Sequence, residues 1–276
     1  MHLSLLTSTL LLTGALSTSI NDFSCRSTKH PNPVILHHGL GATWYEDLNV
    51  LQGWLQSQGY CTFAQTYGEY PAFPLVGGLK PIAESSAQVA AYIREVAAKT
   101  GASKVDLVGH SEGAFQVLYT PKFEDGVAAL VDKIVAVAPP THGTTFGGLY
   151  KLAYLLGNTS RELVGTVLDT VGCAACDELG IGGEAIARLN DGEPIVQEGN
   201  EVTVIASRFD EMVTPVETAF VHEDGVRNVW VQDVCPLDPV GHIGLAYDLN
   251  LWNLVKNALD GTPEKKFVCV LGSPGK

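Results

Sequence analysis

The sequence predicts an α/β architecture, a mostly parallel central sheet with helices on both faces, and three observations carry that expectation. Short runs rich in Val and Ile alternate with longer helical patterns along most of the chain, as expected for strands buried on both sides and joined by helical crossovers. The run Val105-Asp106-Leu107-Val108 leads through Gly109-His110-Ser111-Glu112-Gly113 into a helix-compatible stretch, which reads as a strand, a sharp turn and a helix. The chain has 276 residues, 46% of them hydrophobic, enough for one large domain, and no linker, internal repeat or low-complexity tract divides it.

Taken in order, strands are expected at residues 34–37, 61–65, 105–108, 134–138, 202–207 and 228–232, with helices near 44–58, 81–100, 114–120 and 245–259. In the second helix Pro81 occupies the first turn, where its missing N–H is no loss, and Val89, Tyr92, Ile93 and Val96 recur at helical spacing. The alternation breaks between residues 144 and 190, where only Gly-punctuated helical pieces such as 149–156 and 163–171 are read. An insertion at this place predicts a helical cap over a cleft. Its apolar residues Phe146, Leu149, Tyr150, Leu155 and Leu156 would line an acyl groove or meet a lipid surface, or else pack on the sheet's own helices.

The first 19 residues hold an apolar, Leu-dominated stretch from Leu3 to Leu16 followed by small residues. This reads as a secretory signal peptide, although no Lys or Arg precedes the stretch. The run falls short of the ~20 apolar residues that a membrane span needs. Residues 20–276 are then expected as a single secreted, extracellular domain, with a monomer as the favoured state. The six cysteines at 25, 61, 173, 176, 235 and 269 form an even set, in keeping with an oxidising compartment. Cys173 and Cys176 form a C-x-x-C without the βαβ setting of a redox motif, so a local staple is expected there. No second C-x-x-C or paired-His pattern completes a zinc site, and no metal or cofactor is expected. The net charge of −13, from 30 acidic and 17 basic residues, argues against partners bound through their own negative charge, nucleic acid and anionic membranes among them. Asn158-Thr159-Ser160 is an N-glycosylation sequon, a hint of a surface loop.

A serine hydroxyl is a poor nucleophile unless a base lies within hydrogen-bond reach and a third group orients that base. Ser111, lifted off a sheet edge by the turn, is the candidate nucleophile. His242, in Asp238-Pro239-Val240-Gly241-His242-Ile243-Gly244, follows the last predicted strand and is the candidate base. The acid is expected after the strand 202–207, where the chain reads Ser207-Arg208-Phe209-Asp210-Glu211-Met212-Val213-Thr214-Pro215. Asp210 is favoured, with Glu211 and Asp238 as competitors. An oxyanion needs backbone N–H groups aimed at it. One is expected from Glu112, after the nucleophile, and the other from Leu40 in His37-His38-Gly39-Leu40-Gly41. His37 and His38 are neighbours at a strand end and point to opposite sides, so a structural role is expected for them.

Three segments, His38-Gly39-Leu40-Gly41, Gly109-His110-Ser111-Glu112-Gly113 and Val240-Gly241-His242-Ile243-Gly244-Leu245, resemble those of the secreted microbial lipases of the α/β-hydrolase superfamily, above all the minimal bacterial lipases of the class 2 group. The resemblance runs from about residue 33 to 261. The segment 207–215 is similar to the S-x-x-D-E-x-V-x-P motif of the yeast lipase B type, which implies Asp210 as the catalytic acid. The same resemblance implies Ser111 as nucleophile, His242 as general base and acid, and the Leu40 and Glu112 amides as oxyanion hole. It also implies disulfides Cys25 to Cys61 and Cys235 to Cys269, leaving Cys173 with Cys176. Two departures stand out. Glu112 replaces the usual Gln or Met and brings a carboxylate to a site of developing negative charge, unfavourable unless it is protonated or hydrogen-bonded. The 144–190 insertion exceeds that of the minimal bacterial fold.

The expected function is a secreted serine ester hydrolase, a triacylglycerol lipase or carboxylesterase working through an acyl-enzyme on ester-linked lipids. The alternatives are a thioesterase, polymer esterase or acyltransferase with the same machinery, or a non-catalytic binding protein that keeps the fold.

Overall fold

The computed structural model describes residues 20–145, 170 and 172–273. The predicted signal peptide, the cap residues Phe146 to Leu156, and the Asn158 sequon lie outside the described residues.

Six strands, β1 (Val34–His37), β2 (Thr62–Ala64), β3 (Val105–His110), β4 (Val131–Val137), β5 (Glu201–Ala206) and β6 (Arg227–Trp230), form one sheet in the order β2-β1-β3-β4-β5-β6. Every neighbouring pair is parallel. Parallel pairing leaves no face open, because each crossover lays a helix on the sheet. Alternate residues therefore feed two separate cores. Ile35, Phe63, Leu107, Ile134, Ala136, Val202 and Val204 pack with Val89, Ile93 and Val96 of α2 (Ile82–Thr100) and Phe115 and Leu118 of α3 (Glu112–Phe123). Val34, Leu36, Val108, Val135, Val137 and Ile205 pack on the other face with Leu51 and Leu55 of α1 (Asn49–Ser57) and with Leu251, Leu254 and Val255 of the final helix Leu249–Leu259. The α/β-hydrolase architecture expected from the sequence is present.

The elements differ from expectation where side chains compete with regular structure. The helix predicted from residue 44 begins at Asn49, because the Glu46 carboxylate binds the amide and hydroxyl of Thr43 in a turn and Asp47 is drawn inward. The helix predicted over 245–259 is broken: a turn His242–Leu245 is followed by Leu249–Leu259, at whose start the Asp248 carboxylate accepts the Leu251 amide at 2.9 Å. Such a cap restarts a helix. The last predicted strand ends at Trp230, and Val231–Val234 forms a helical turn that buries Gln232, whose amide bonds Ser207 Oγ and the Asp238 carbonyl, both at 3.0 Å. Pro81 stands one residue ahead of α2, at its N-cap with extended backbone.

Within the predicted insertion, the helical turns Ala174–Glu178 and Glu184–Leu189 bury Ala175, Leu179, Ile186 and Leu189 in the same core as α2 and α3. Disulfides join Cys25 to Cys61, Cys173 to Cys176 and Cys235 to Cys269, the pairings the resemblance implied. The last of these clamps the C-terminal tail to the segment that leads into His242. No helix among the described residues is long and apolar enough to cross a membrane.

Candidate active site

Ser111 joins β3 to α3 with φ 56° and ψ −121°, a conformation that a residue with a side chain adopts only under strain of about 1–3 kcal/mol. The surrounding structure imposes it. The Ser111 amide donates to the Val137 carbonyl of β4 at 2.9 Å, while its own carbonyl accepts the Phe115 amide at 3.0 Å to start α3. Glycine is required on both sides of the turn: a Cβ on Gly109 would meet the backbone of Gly113, and one on Gly113 would meet the His37 carbonyl. The serine is left partly exposed at the C-terminal end of the sheet.

His242 and Asp210 arrive from loops beyond β6 and β5. The Ser111 hydroxyl lies 2.8 Å from His242 Nε2, and His242 Nδ1 lies 2.7 Å from Asp210 Oδ2. Asp210 is only 7% exposed, and its other oxygen accepts the amides of Met212 and Val213, both at 2.8 Å. Burial pushes the Asp210 carboxyl up, but the charge and hydrogen bond of His242 and these two amides outweigh it and hold the pKa below the usual carboxylate value. An ionised Asp210 can only accept, so the proton of His242 sits on Nδ1, Nε2 is free to accept, and the Ser111 hydroxyl donates to it.

The Leu40 loop closes over the serine from β1. Its approach is tight, since a Cβ on Gly39 would stand 3.1 Å from Ser111 Cβ. The amides of Leu40 and Glu112 donate to no group among the described residues, whereas those of Gly39 and Gly41 are bound to Asp47 and Gly77. Two open N–H groups beside one hydroxyl are what a developing oxyanion requires.

The Glu112 side chain is fully buried, and neither carboxyl oxygen finds a hydrogen-bond partner among the described residues. Burial raises its pKa well above the ordinary glutamate value; the nearby Gln116 side chain, which makes no hydrogen bond of normal geometry to the carboxyl, offsets this only in part, and Glu178 adds to it. Burial therefore favours the neutral, protonated form of the carboxyl. The repulsion that the sequence raised disappears by protonation rather than by pairing.

The competing acids have other partners. Glu211 Oε2 accepts the His242 amide at 3.2 Å, and Asp238 accepts the Val240 amide at 3.0 Å and the Asn250 side chain at 2.7 Å. Both fix the loop around His242. His37 is buried with its pKa pushed down to about 3 by desolvation and the neighbouring His38. His38 stacks on Tyr67, ring centroids 4.3 Å apart, and accepts the Tyr67 amide at 3.2 Å. Sequence reasoning missed Asp47, which carries no local signal; its carboxylate accepts the Gly39 amide at 2.7 Å and lies 2.9 Å from His110 Nδ1.

Two clefts meet at Ser111. One is lined by Gly39, Ala42, Glu46, His242, Ile243 and Tyr247, the other by Pro140, Thr144, Leu179, Met212 and Val213, with Leu40 shared.

Known proteins bear on this arrangement in three ways. The chain is similar to a triacylglycerol lipase of Pseudarthrobacter phenanthrenivorans, 32% identical over 121 residues, which is 41% of this chain and 34% of that protein. The aligned region therefore spans about a third of that relative. In three dimensions it is similar to Aspergillus fumigatus lipase B, with a TM-score of 0.65 at 20% identity over 88% of this chain and 57% of that one. A serine hydrolase of Cycloclasticus zankles follows the same fold at a TM-score of 0.58, with 16% identity over 87% of this chain and 94% of the other. The family model for lipase (class 2) matches residues 31–242, a stretch that holds the Leu40 loop, the Ser111 elbow, Asp210 and His242, and the chain belongs to that family.

Proposed function

We propose that this class 2 lipase-family chain is a secreted serine ester hydrolase that acts on ester-linked lipids through an acyl-enzyme. One observation carries the reading: the unbroken hydrogen-bonded line from the Ser111 hydroxyl through His242 to a buried, ionised Asp210. Ser111 Oγ attacks the ester carbonyl carbon as its proton passes to His242 Nε2. The tetrahedral oxyanion rests on the amides of Leu40 and Glu112, and loss of one such donor typically lowers turnover by ~10²–10³. The imidazolium then protonates the leaving alcohol oxygen, the C–O bond breaks, and the acyl group stays on Ser111. Water, deprotonated by His242, repeats the sequence and releases the acid. Asp210 holds the tautomer and stabilises the imidazolium. The cleft walled by Leu179, Met212 and Val213 offers an apolar surface for the acyl chain. Neutral esters suit a chain of net charge −13. Three disulfides and the apolar N-terminal run support secretion after cleavage near residue 19.

A fluorophosphonate probe followed by peptide mapping tests the assignment. Label on Ser111, hydrolysis of p-nitrophenyl butyrate and emulsified triglyceride, and loss of both label and turnover in Ser111→Ala are expected. Unchanged hydrolysis by Ser111→Ala would overturn the reading.

A further inference from the structure

Beside Ser111 lies a second histidine–carboxylate pair that the proposed chemistry does not use. Asp47, in the loop between β1 and α1, and His110, the last residue of β3, are 7% and 2% exposed. One Asp47 oxygen lies 2.9 Å from His110 Nδ1; the other, 3.1 Å from it, accepts the Gly39 amide at 2.7 Å. On its far side His110 Nε2 stands 3.0 Å from the His242 backbone carbonyl. A single chain of bonds therefore runs from the residue before Leu40, across the residue before Ser111, to the peptide that carries the imidazole.

We propose that Asp47 and His110 are a positioning pair that holds the Leu40 amide and the His242 ring in register on either side of Ser111, a role that rests on the serine-hydrolase reading above. Gly39 is the hinge through which the Leu40 amide is aimed, and its bond to Asp47 is its tether. The His242 carbonyl is the other tether. The other bond between these two segments, from the Tyr247 hydroxyl to the Glu46 carbonyl, involves neither Gly39 nor the His242 peptide.

The geometry together with the surrounding charges favours an ion pair here. A carbonyl and an ionised carboxylate can only accept, so both ring nitrogens of His110 must carry hydrogen: the group is an imidazolium over a carboxylate. The environment agrees. Burial lowers the His110 pKa, but the charge and hydrogen bond of Asp47, the His242 carbonyl and the Asp210 charge outweigh it and hold it above the ordinary value. Burial raises Asp47, while His110, the Gly39 amide and His38 bring it below its ordinary value. The ionisable groups facing the pair are His242, its ring centroid 4.9 Å from that of His110, with Asp210 behind it, and His38, Glu46, Tyr67 and Tyr247 around Asp47. Once His110 loses its proton, one of its two bonds must break.

Asparagine at position 47 relieves that dependence. Its oxygen accepts the Gly39 amide, its NH₂ donates to Nδ1, and a neutral His110 still donates from Nε2 to the His242 carbonyl. Alanine offers none of this. The experiment compares the parent chain, Asp47→Ala and Asp47→Asn by kcat and KM for p-nitrophenyl butyrate from pH 6 to 10, with a ¹⁵N-histidine NMR spectrum of the parent.

Asp47→Ala should lose about 10- to 100-fold in kcat, the usual reach of an outer-shell partner, with KM within about threefold. Asp47→Asn should recover most of that loss and lack the parent's fall in kcat at alkaline pH. The spectrum should show both His110 nitrogens protonated at pH 7, a readout that needs no turnover and so separates this proposal from the serine-hydrolase reading. A folded Asp47→Ala with the parent kcat, an Asp47→Asn that keeps the parent's alkaline fall, or a singly protonated His110 at pH 7 would each overturn it. Should Asp47→Ala fail to fold, the other two readouts decide.

Discussion

Replacing Glu112 by Gln should make the variant gain in stability on the parent as the pH rises. In the unfolded chain this carboxyl ionises near 4.5, whereas in the fold it is fully buried, lacks a hydrogen-bond partner among the described residues, and has its pKa raised well above that value. Above pH 4.5 the unfolded chain therefore binds fewer protons than the folded one, and stability falls with pH. While the folded group keeps its proton, the slope is about 1.4 kcal/mol per pH unit. Glutamine has nearly the same shape and no proton to lose, so its packing shifts the comparison by a constant and leaves the slope. Every other titrating group cancels in the difference between the two proteins. Urea unfolding followed through the four Trp residues measures the difference at matched pH values. Turnover should stay within about threefold, because the proposed oxyanion donor is the backbone amide and not the side chain. A difference that is flat from pH 5.5 to 7.5, or that shrinks with pH, would refute the neutral-acid assignment.

Other outcomes follow from the same geometry. Asp210→Asn keeps an oxygen for the Met212 and Val213 amides, so it should fold normally, yet kcat for p-nitrophenyl butyrate should drop by about 10⁴ because His242 loses the acceptor that fixes its tautomer. Removing the Cys25 to Cys61 bridge, whose ends are 36 positions apart, should lower stability by about 3–4 kcal/mol in the chain-entropy account. Turnover of that variant at 25 °C should persist, since the bridge lies at the edge strand β2, away from Ser111.

The sheet was legible because its signal is local and repeated. The inner strands β1, β3, β4 and β5 are built largely of β-branched and aliphatic residues whose alternate positions face two cores. The ends were less legible because single side chains decide them. Asp248 restarting the last helix and Gln232 turning inward after β6 are contacts to particular partners, not periodicities. The same distinction divides the site. Ser111 stood out by its flanking glycines and His242 by its place after the last strand, because the fold dictates where loops emerge, whereas the choice of Asp210 over Glu211 and Asp238 rested on the resemblance of residues 207–215. Asp47 was not, since its partner His110 is 63 positions away and no spacing rule links them. The state of Glu112 was posed by the sequence as a choice between protonation and pairing, and only the burial around it selects the first.

The central claim is that an acyl group joins Ser111 while its oxyanion rests on two backbone amides. A crystal structure of the protein inhibited by an alkyl phosphonate tests this most directly. Phosphorus should be bonded to Ser111 Oγ, with the phosphonyl oxygen within about 3.1 Å of both the Leu40 and Glu112 amides and the His242 ring still joined to Asp210. A phosphonate on another residue, or an oxygen turned away from both amides, would contradict it.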